Sequence, residues 1–396
     1  MRLAFLTHEP FFPPSGGGSA EAVYLVREMR RRGHEVHLFC PRVADAKAIE
    51  RDFGVSLTEF KLWRMGRYAA LRNFKYLLYP FFLERLVERR ARAVKFDLIF
   101  SQHAIAAVAA GRLRAKLQVP VAMNFLDYLT GFMETWPGYL APKPFLAAIK
   151  KFELSLPSKY QADAVLTVSD TLADYFADAG YPRTRLLPIY YGYDAELFPL
   201  RSPKPVGRPV VVMHGSFDHH HLGPIAKTAL LMVAQTKPET IFRFVGQRTP
   251  ALNKLIAQLA PAIASERIEC TGFVPYQEVA RHLASADVGI VPYEASTGTH
   301  CAFVAKIVEY LALGLPVVST PLNSALRYFG REPLVRFSEF HGQSFGEKIL
   351  AWLNETAVRR DSLAAAANAR VRAELDWQAI SRRAVDFVER TAQQSK

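Results

Sequence analysis

A short apolar run, a helical segment and a second short apolar run follow one another at the start of the chain, and this order limits the fold more than any other feature. "MRLAFLTH" reads as a buried strand, "SAEAVYLVREMRRRG" as a helix and "HEVHLFCP" as a second strand. Strands at this spacing need a crossover connection, so they lie parallel as a βαβ unit. "FDLIFSQ" (96–102), "PVAMNFLD" (120–127) and "AVLTVSD" (164–170) continue the series with helical segments between them, which predicts a doubly wound α/β domain. After a loose stretch carrying Pro203, Pro205, Gly207 and Pro209 the pattern restarts. "PVVVMHGSFD", "TIFRFVGQ", "RIECTGFVP", "VGIVPYE" and "PVVST" supply the strands of a second domain of the same kind. Two such domains facing each other are expected to leave a central cleft at the carboxyl ends of both sheets, where ligands of open α/β sheets bind.

Length agrees with this division, because 396 residues exceed one ordinary core and half of them are apolar. Cys40, Cys270 and Cys301 are far apart, without a CxxC pair, which argues against a disulfide framework and a zinc site. The N-terminus has no long apolar core of a signal peptide, and no run reaches the ~18 apolar residues of a membrane span. The expectation is a cytoplasmic protein, in solution or peripheral on the cytoplasmic face of the inner membrane. Net charge is +13 and unevenly placed: residues 60–95 hold ten Lys/Arg against two Glu, a local +8, interleaved with Phe, Tyr, Leu and Trp. Two readings of that stretch stand side by side, a contact with an anionic membrane surface and a solvated face of an arginine-rich protein. No RNA- or DNA-binding motif is present, so nucleic acid is not an expected partner.

Several stretches carry chemistry. In "PPSGGGSAEA", Gly16, Gly17 and Gly18 stand between the first strand and the first helix, where backbone N–H groups and the helix N-terminus can hold a phosphate or sugar. The loop is not a dinucleotide fingerprint: Glu21 stands where GxGxxG needs its last glycine, and Pro41 and Arg42, not an acid, end the second strand. His103 follows one strand end and Asp127 another, positions that face a cleft. In "HGSFDHHHLGP", Gly215, Ser216 and His221 are candidates for touching phosphate; His219, His220 and His221 in a row argue against a shared metal, because adjacent side chains diverge. In "VAKIVEYLALGLPVVST", Lys306 and Glu309 lie three apart near a helix start. An ammonium there suits a diphosphate and a carboxylate suits ribose hydroxyls; the alternative is a surface ion pair.

Taken together these residues resemble the GT-B-fold retaining glycosyltransferases, the large group that includes bacterial mannosyl- and glucosyltransferases, over nearly the whole chain. "PPSGGGSAEAVYLVREMRRRGHEVHLFCP" is similar to the family's opening loop, helix and GHEV strand, and "VEYLALGLPVV" to its E-x-x-A-x-G-x-P-V-V nucleotide-binding segment. "YYGYDAELF" is similar to its interdomain signature, with Tyr191 in place of the usual Asn, and Trp377 opens a stretch resembling the final helix that crosses back to the first domain. The resemblance implies an acceptor domain over 1–200 completed by 372–396, and a nucleotide-sugar domain over 201–371. It implies ribose binding by Glu309 and a first-domain active-site histidine at His103. Cys301 stands where the family's first glutamate is usual, Ser216 and His221 where it has Arg and Lys, and Leu126 where it has His.

The expected activity is transfer of a sugar from a nucleotide-sugar donor to the hydroxyl of a glycan or lipid-linked acceptor, with retention and without a metal or other cofactor. Donor-binding candidates are Gly16, Gly17, Gly18, Gly215, Ser216, His221, Lys306 and Glu309; His103 and Asp127 are the catalytic candidates. Two alternatives are a GT-B protein that binds nucleotide sugar or glycan without turnover, suggested by Cys301, Ser216 and Leu126, and a nicotinamide-dependent oxidoreductase, against which the failed fingerprint counts.

Overall fold

In the computed structural model, which describes residues 1–9, 11–13, 17–60, 74–136, 138, 142–204 and 207–394, the chain divides into two compact α/β units. The first comprises 1–130, 138–190 and 377–396; the second comprises 131–137 and 191–376. Gly16 and residues 61–73, with Trp63, Arg64, Arg67 and Arg72 of the basic stretch, lie outside the described residues.

The chain begins β1 (Arg2–Leu6), α1 (Gly17–Arg31), β2 (Glu35–Pro41), α2 (Ala46–Phe53), β3 (Ser56–Phe60), α3 (Phe74–Ala91), β4 (Leu98–Gln102) and α4 (His103–Leu117). It continues β5 (Val121–Phe125), α5 (Leu129–Phe132), α6 (Lys143–Lys159), β6 (Ala164–Thr167), α7 (Asp170–Asp178) and β7 (Leu186–Pro188). The first unit's sheet is parallel, in the order β3-β2-β1-β4-β5-β6-β7. Phe5 of β1 pairs with Leu38 of β2 and Phe100 of β4. These strands are buried on both faces, which is why they read as continuous apolar runs. Strand order reverses between β1 and β4, so the residues after those two strands emerge side by side.

The second unit runs β8 (Val210–His214), α8 (Pro224–Thr236), β9 (Ile241–Val245), α9 (Pro250–Leu259), β10 (Ile268–Cys270), α10 (Tyr276–Ala284), β11 (Val288–Val291), α11 (Thr297–Cys301) and α12 (Ala305–Ala312). It ends with β12 (Val317–Ser319), α13 (Asn323–Phe329), β13 (Val335–Phe337), α14 (Gly342–Leu353) and α15 (Ala357–Leu375); α16 (Trp377–Gln394) then returns to the first unit. Its parallel sheet has the order β10-β9-β8-β11-β12-β13, with the reversal between β8 and β11. In the first unit α16 packs on α1: Trp377 stacks on Tyr24 at 5.5 Å, and Arg32 pairs with Asp386 (2.5 Å) and Glu389 (2.8 Å).

"GYDAELF" opens the second unit. The Tyr193 N–H donates to the Leu375 carbonyl, the Asp194 carboxylate accepts from the N–H groups of Glu196 and Leu197, and Phe198 is fully buried against Tyr276 at 5.3 Å. Contacts of this kind put the division at Tyr190–Tyr191, ahead of the proline-rich stretch. Three strands were not anticipated from the sequence: β3, β7 and β13 are sheet edges, short and half-exposed, so their residues alternate too little to stand out.

Candidate functional site

In the first unit the site is built where β1, β4 and β5 end. Thr7 Oγ1 donates to Gln102 Oε1 (3.0 Å), and Gln102 Nε2 donates to the Gly18 carbonyl (2.8 Å). These bonds fix the start of α1 against the two strands at the reversal. His103 follows directly, with φ of 67° in the left-handed region, which a non-glycine residue adopts only when its surroundings impose it. That turn aims the imidazole at Glu9, 3.7 Å from Nε2, and sets its ring edge-on to His8 at 4.8 Å. Gly18 is required by this packing. A Cβ there would come within 3.0 Å of Glu9 Oε2, His103 Nε2 and Leu126 Cδ1.

Beneath His103 lies a group the sequence did not single out. Glu21, from α1, is buried and accepts a hydrogen bond from Asn124 Nδ2 of β5; among the described residues Glu21 Oε2 and Asn124 Oδ1 are buried without partners. Burial pushes the Glu21 carboxyl up to about 8, against the opposing hydrogen bond from Asn124 and the charge of His103. For His103 itself burial disfavours the charged ring, but Glu9, Asp127 and Glu21 together outweigh it and its pKa is raised. Glu153 of α6 completes the set: burial raises its pKa, while the N–H groups of Leu129 and Thr130 and the Thr130 hydroxyl donate to it. The structure therefore brings His103, Asp127 and Gly18 into one electrostatic cluster with Glu9 and Glu21. Asn124 was the available signal, because a polar side chain inside an apolar strand needs a buried partner.

In the second unit the corresponding elements are the ends of β8 and β11 and the start of α12. Gly215 turns with φ of 96°, and a Cβ there would meet Lys306 Cε and Nζ at 3.1 Å. Lys306 Nζ donates to the Tyr293 hydroxyl at 2.8 Å. The His221 ring lies on Tyr293 at 4.4 Å, and its Nδ1 accepts from the Asp218 N–H at 3.1 Å. Val304, the N-cap of α12, offers no side-chain bond to the first N–H groups of the helix. Gly215, His221, Tyr293 and Lys306 thus meet at a cationic spot beside a helix start, the environment an anionic phosphate favours. The start of α8 is different: the Glu294 carboxylate accepts from the Ile225 N–H at 3.0 Å and so already occupies it.

Glu309 is buried and pairs with His214 Nε2, leaving Oε1 as its remaining acceptor, while Lys306 turns to Tyr293. Ser216 lies half-buried after Gly215, and Cys301 is fully buried at the end of α11. Within the histidine row, His220 and His221 come together while His219 is not part of the group. The rings of His220 and His221 are 3.9 Å apart, and with Asp218 they place three ligand atoms within 4.8 Å of one another, because the loop folds into a turn at Asp218.

Comparison with known proteins bears on both units. Residues 15–197 match the family model of Glycosyltransferase Family 4, and residues 208–355 match that of Glycosyl transferases group 1. A curated relative from Salmonella typhimurium, named as a colanic acid biosynthesis glycosyltransferase (WcaL), is 29% identical over 166 residues; the match spans 40% of each chain. Among solved structures, sucrose-phosphate synthase from Thermosynechococcus elongatus has a TM-score of 0.81 at 15% identity, covering 98% of both chains. Anabaena HepE in complex with UDP and glucose has a TM-score of 0.74 at 18% identity, covering 98% of this chain and 99% of HepE.

Proposed function

Because the chain carries the two domains of a GT-B-fold glycosyltransferase, we propose that it transfers a hexosyl group from a nucleotide-sugar donor to an acceptor hydroxyl, with retention. The observation that carries this reading is the meeting of Lys306, Tyr293, His221 and the left-handed Gly215 at the uncapped start of α12. There the donor diphosphate binds: Lys306 Nζ and the helix N–H groups take the phosphate charge and Ser216 adds a contact; in the first unit the Gly16–Gly18 loop is the donor-binding candidate. Glu309 Oε1 accepts from a ribose hydroxyl. His103, whose pKa Glu9 and Asp127 raise, contacts the transferred sugar and orients it. In the reaction the bond between the anomeric carbon and the phosphate oxygen breaks, the acceptor oxygen bonds to that carbon, and the acceptor proton passes to the diphosphate. Cations and N–H groups fixed in the protein support the leaving group, so the reaction proceeds without a metal.

UDP is the first nucleotide to test, because HepE is a structure in complex with UDP and glucose. A cell-envelope glycan precursor, lipid-linked, is the proposed acceptor, in keeping with the relative named for colanic acid biosynthesis and with the anionic membrane surface expected for residues 60–95. The enzyme then works on the cytoplasmic face of the inner membrane. The test is incubation with a panel of nucleotide sugars, following sugar release and nucleoside diphosphate. Saturable release supports the enzyme; thermal stabilisation by a nucleotide sugar with no release supports the binding-only alternative that the buried Cys301 suggests. Glu309→Ala is expected to raise the donor KM with folding intact, and Glu309→Gln to do so less, since its amide oxygen still accepts. His103→Ala is expected to lower kcat by about 100-fold while nucleotide affinity holds. Wild-type kcat in that variant would remove His103 from the chemistry.

A further inference from the structure

In the first unit α3 and α6 both pack against α4, and each carries large apolar residues that stay about half-exposed among the described residues. Phe81 and Phe82 of α3 are 56% and 47% exposed; Phe145 and Phe152 of α6 are 55% and 43% exposed. Single exposed apolar residues are ordinary; here two phenylalanines stand exposed on each of two helices that pack on α4. The first half of α6 is more unusual still. Its first fully buried residue is Glu153, so the apolar run Phe145-Leu146-Ala147-Ala148-Ile149 is exposed or half-buried throughout. The buried residues of the helix are Glu153, Leu156 and Pro157, with the cap residue Tyr160 against Gly111 of α4, and Lys150 Nζ lies 5.8 Å from the centre of the Tyr128 ring.

Charge surrounds these rings with one dominant sign. On α6, Lys143, Lys150, Lys151 and Lys159 face a single acidic residue, the buried Glu153. Lys159 Nζ lies 4.8 Å from the centre of the Phe152 ring, and the Arg112 guanidinium 4.4 Å from that of Phe81. Arg85, Arg89 and Arg90 are exposed along α3, where Glu84 and Glu88 are drawn inward to Lys116. A surface of aromatic rings rimmed by lysine and arginine fits the boundary of an anionic bilayer: rings enter among the acyl chains while ammonium and guanidinium groups stay with the phosphates.

We propose that α6, together with the outer side of α3, is an interfacial membrane anchor, with the apolar run 145–149 entering the headgroup layer of an anionic bilayer. This places the docking surface partly outside the basic stretch 60–95. It is independent of whether the protein turns over a donor, because lipid binding is read without substrate. The experiment is co-sedimentation of the full chain with phosphatidylcholine vesicles, with and without phosphatidylglycerol, over a salt series. Binding is expected only with phosphatidylglycerol and to weaken as salt screens the lysines. Phe145→Ser/Phe152→Ser is expected to reduce partitioning about tenfold or more, with thermal stability kept, since those positions are exposed. Lys150→Glu/Lys151→Glu, which removes charge and leaves the rings, is expected to abolish the preference for anionic lipid. Equal or absent sedimentation with both vesicle types overturns the proposal. So does wild-type partitioning by both variants. If Phe145→Ser/Phe152→Ser instead dissociates an oligomer in lipid-free solution and leaves sedimentation unchanged, the face belongs to a second copy of the chain.

Discussion

Glu21 is a carboxyl that folding holds protonated near neutral pH. Its folded pKa of about 8 stands above its ordinary value of 4.5, so the folded state binds the proton more tightly. The sign follows: the contribution to stability is fully present below about pH 4.5 and is lost as pH rises through about 8. At 1.36 kcal/mol per unit the full swing is up to roughly 5 kcal/mol. Glu21→Gln keeps the shape and removes the titration, and its amide can donate to the unpartnered Asn124 Oδ1. The variant should therefore gain stability over wild type at pH 9 and lose that advantage at pH 5; urea unfolding at the two pH values checks it. A second expectation concerns Gly18. Its Cβ position lies 3.0 Å from His103 Nε2, so Gly18→Ala should shift the imidazole and lower kcat. Unchanged kcat in this variant would show that His103 is free to move without cost. Glu21 escaped notice in the sequence because its helix position is ordinary. What makes it unusual is the Asn124 partner, which sits in another element and reaches it only once the sheet has formed.

At the scale of elements, the strands at the centre of each sheet were legible, because burial on both faces demands continuous apolar residues. The edge strands β3, β7 and β13 lacked that demand. The nearness of Lys306 and Glu309 along α12 was also legible from helical spacing. The partners that decide their roles were not: Tyr293 and His214 belong to β11's loop and to β8, and only the sheet brings them to α12. Close packing between elements gives a further prediction. A Cβ on Gly111 of α4 would come within 2.2 Å of the Tyr160 ring, which caps α6. Gly111→Ala should destabilise the protein by roughly 1–3 kcal/mol through overpacking. If α6 docks through Tyr160 as described, the same change should loosen the helix, raising hydrogen exchange across 143–159 more than across β4.

For the whole molecule the defining fact is that the first unit is discontinuous. Its sheet is complete by Pro188, but α16 arrives only after the entire second unit. That helix contributes the buried Trp377, Ile380, Ala384, Val385 and Val388, together with ion pairs from Asp386 and Glu389 to Arg32 and a hydrogen bond between Glu389 and His34. A chain ending at Asp376 should lose the cooperative unfolding of the first unit and keep that of the second, which denaturant titration with separate fluorescence and circular dichroism probes would resolve. Loss of both transitions would mean that the second unit depends on the first.

The same discontinuity has a consequence for how the protein is made. A ribosome delivers residues in order, and domains generally fold as they emerge, the earliest first. Here both segments of the second unit, 131–137 and 191–376, have been synthesised while α16 is still inside the ribosome. The part of the protein translated first is thus finished only when α16 leaves the ribosome. Until then the side of α1 that receives Trp377 waits uncovered, and a stop codon within α16 leaves part of it so.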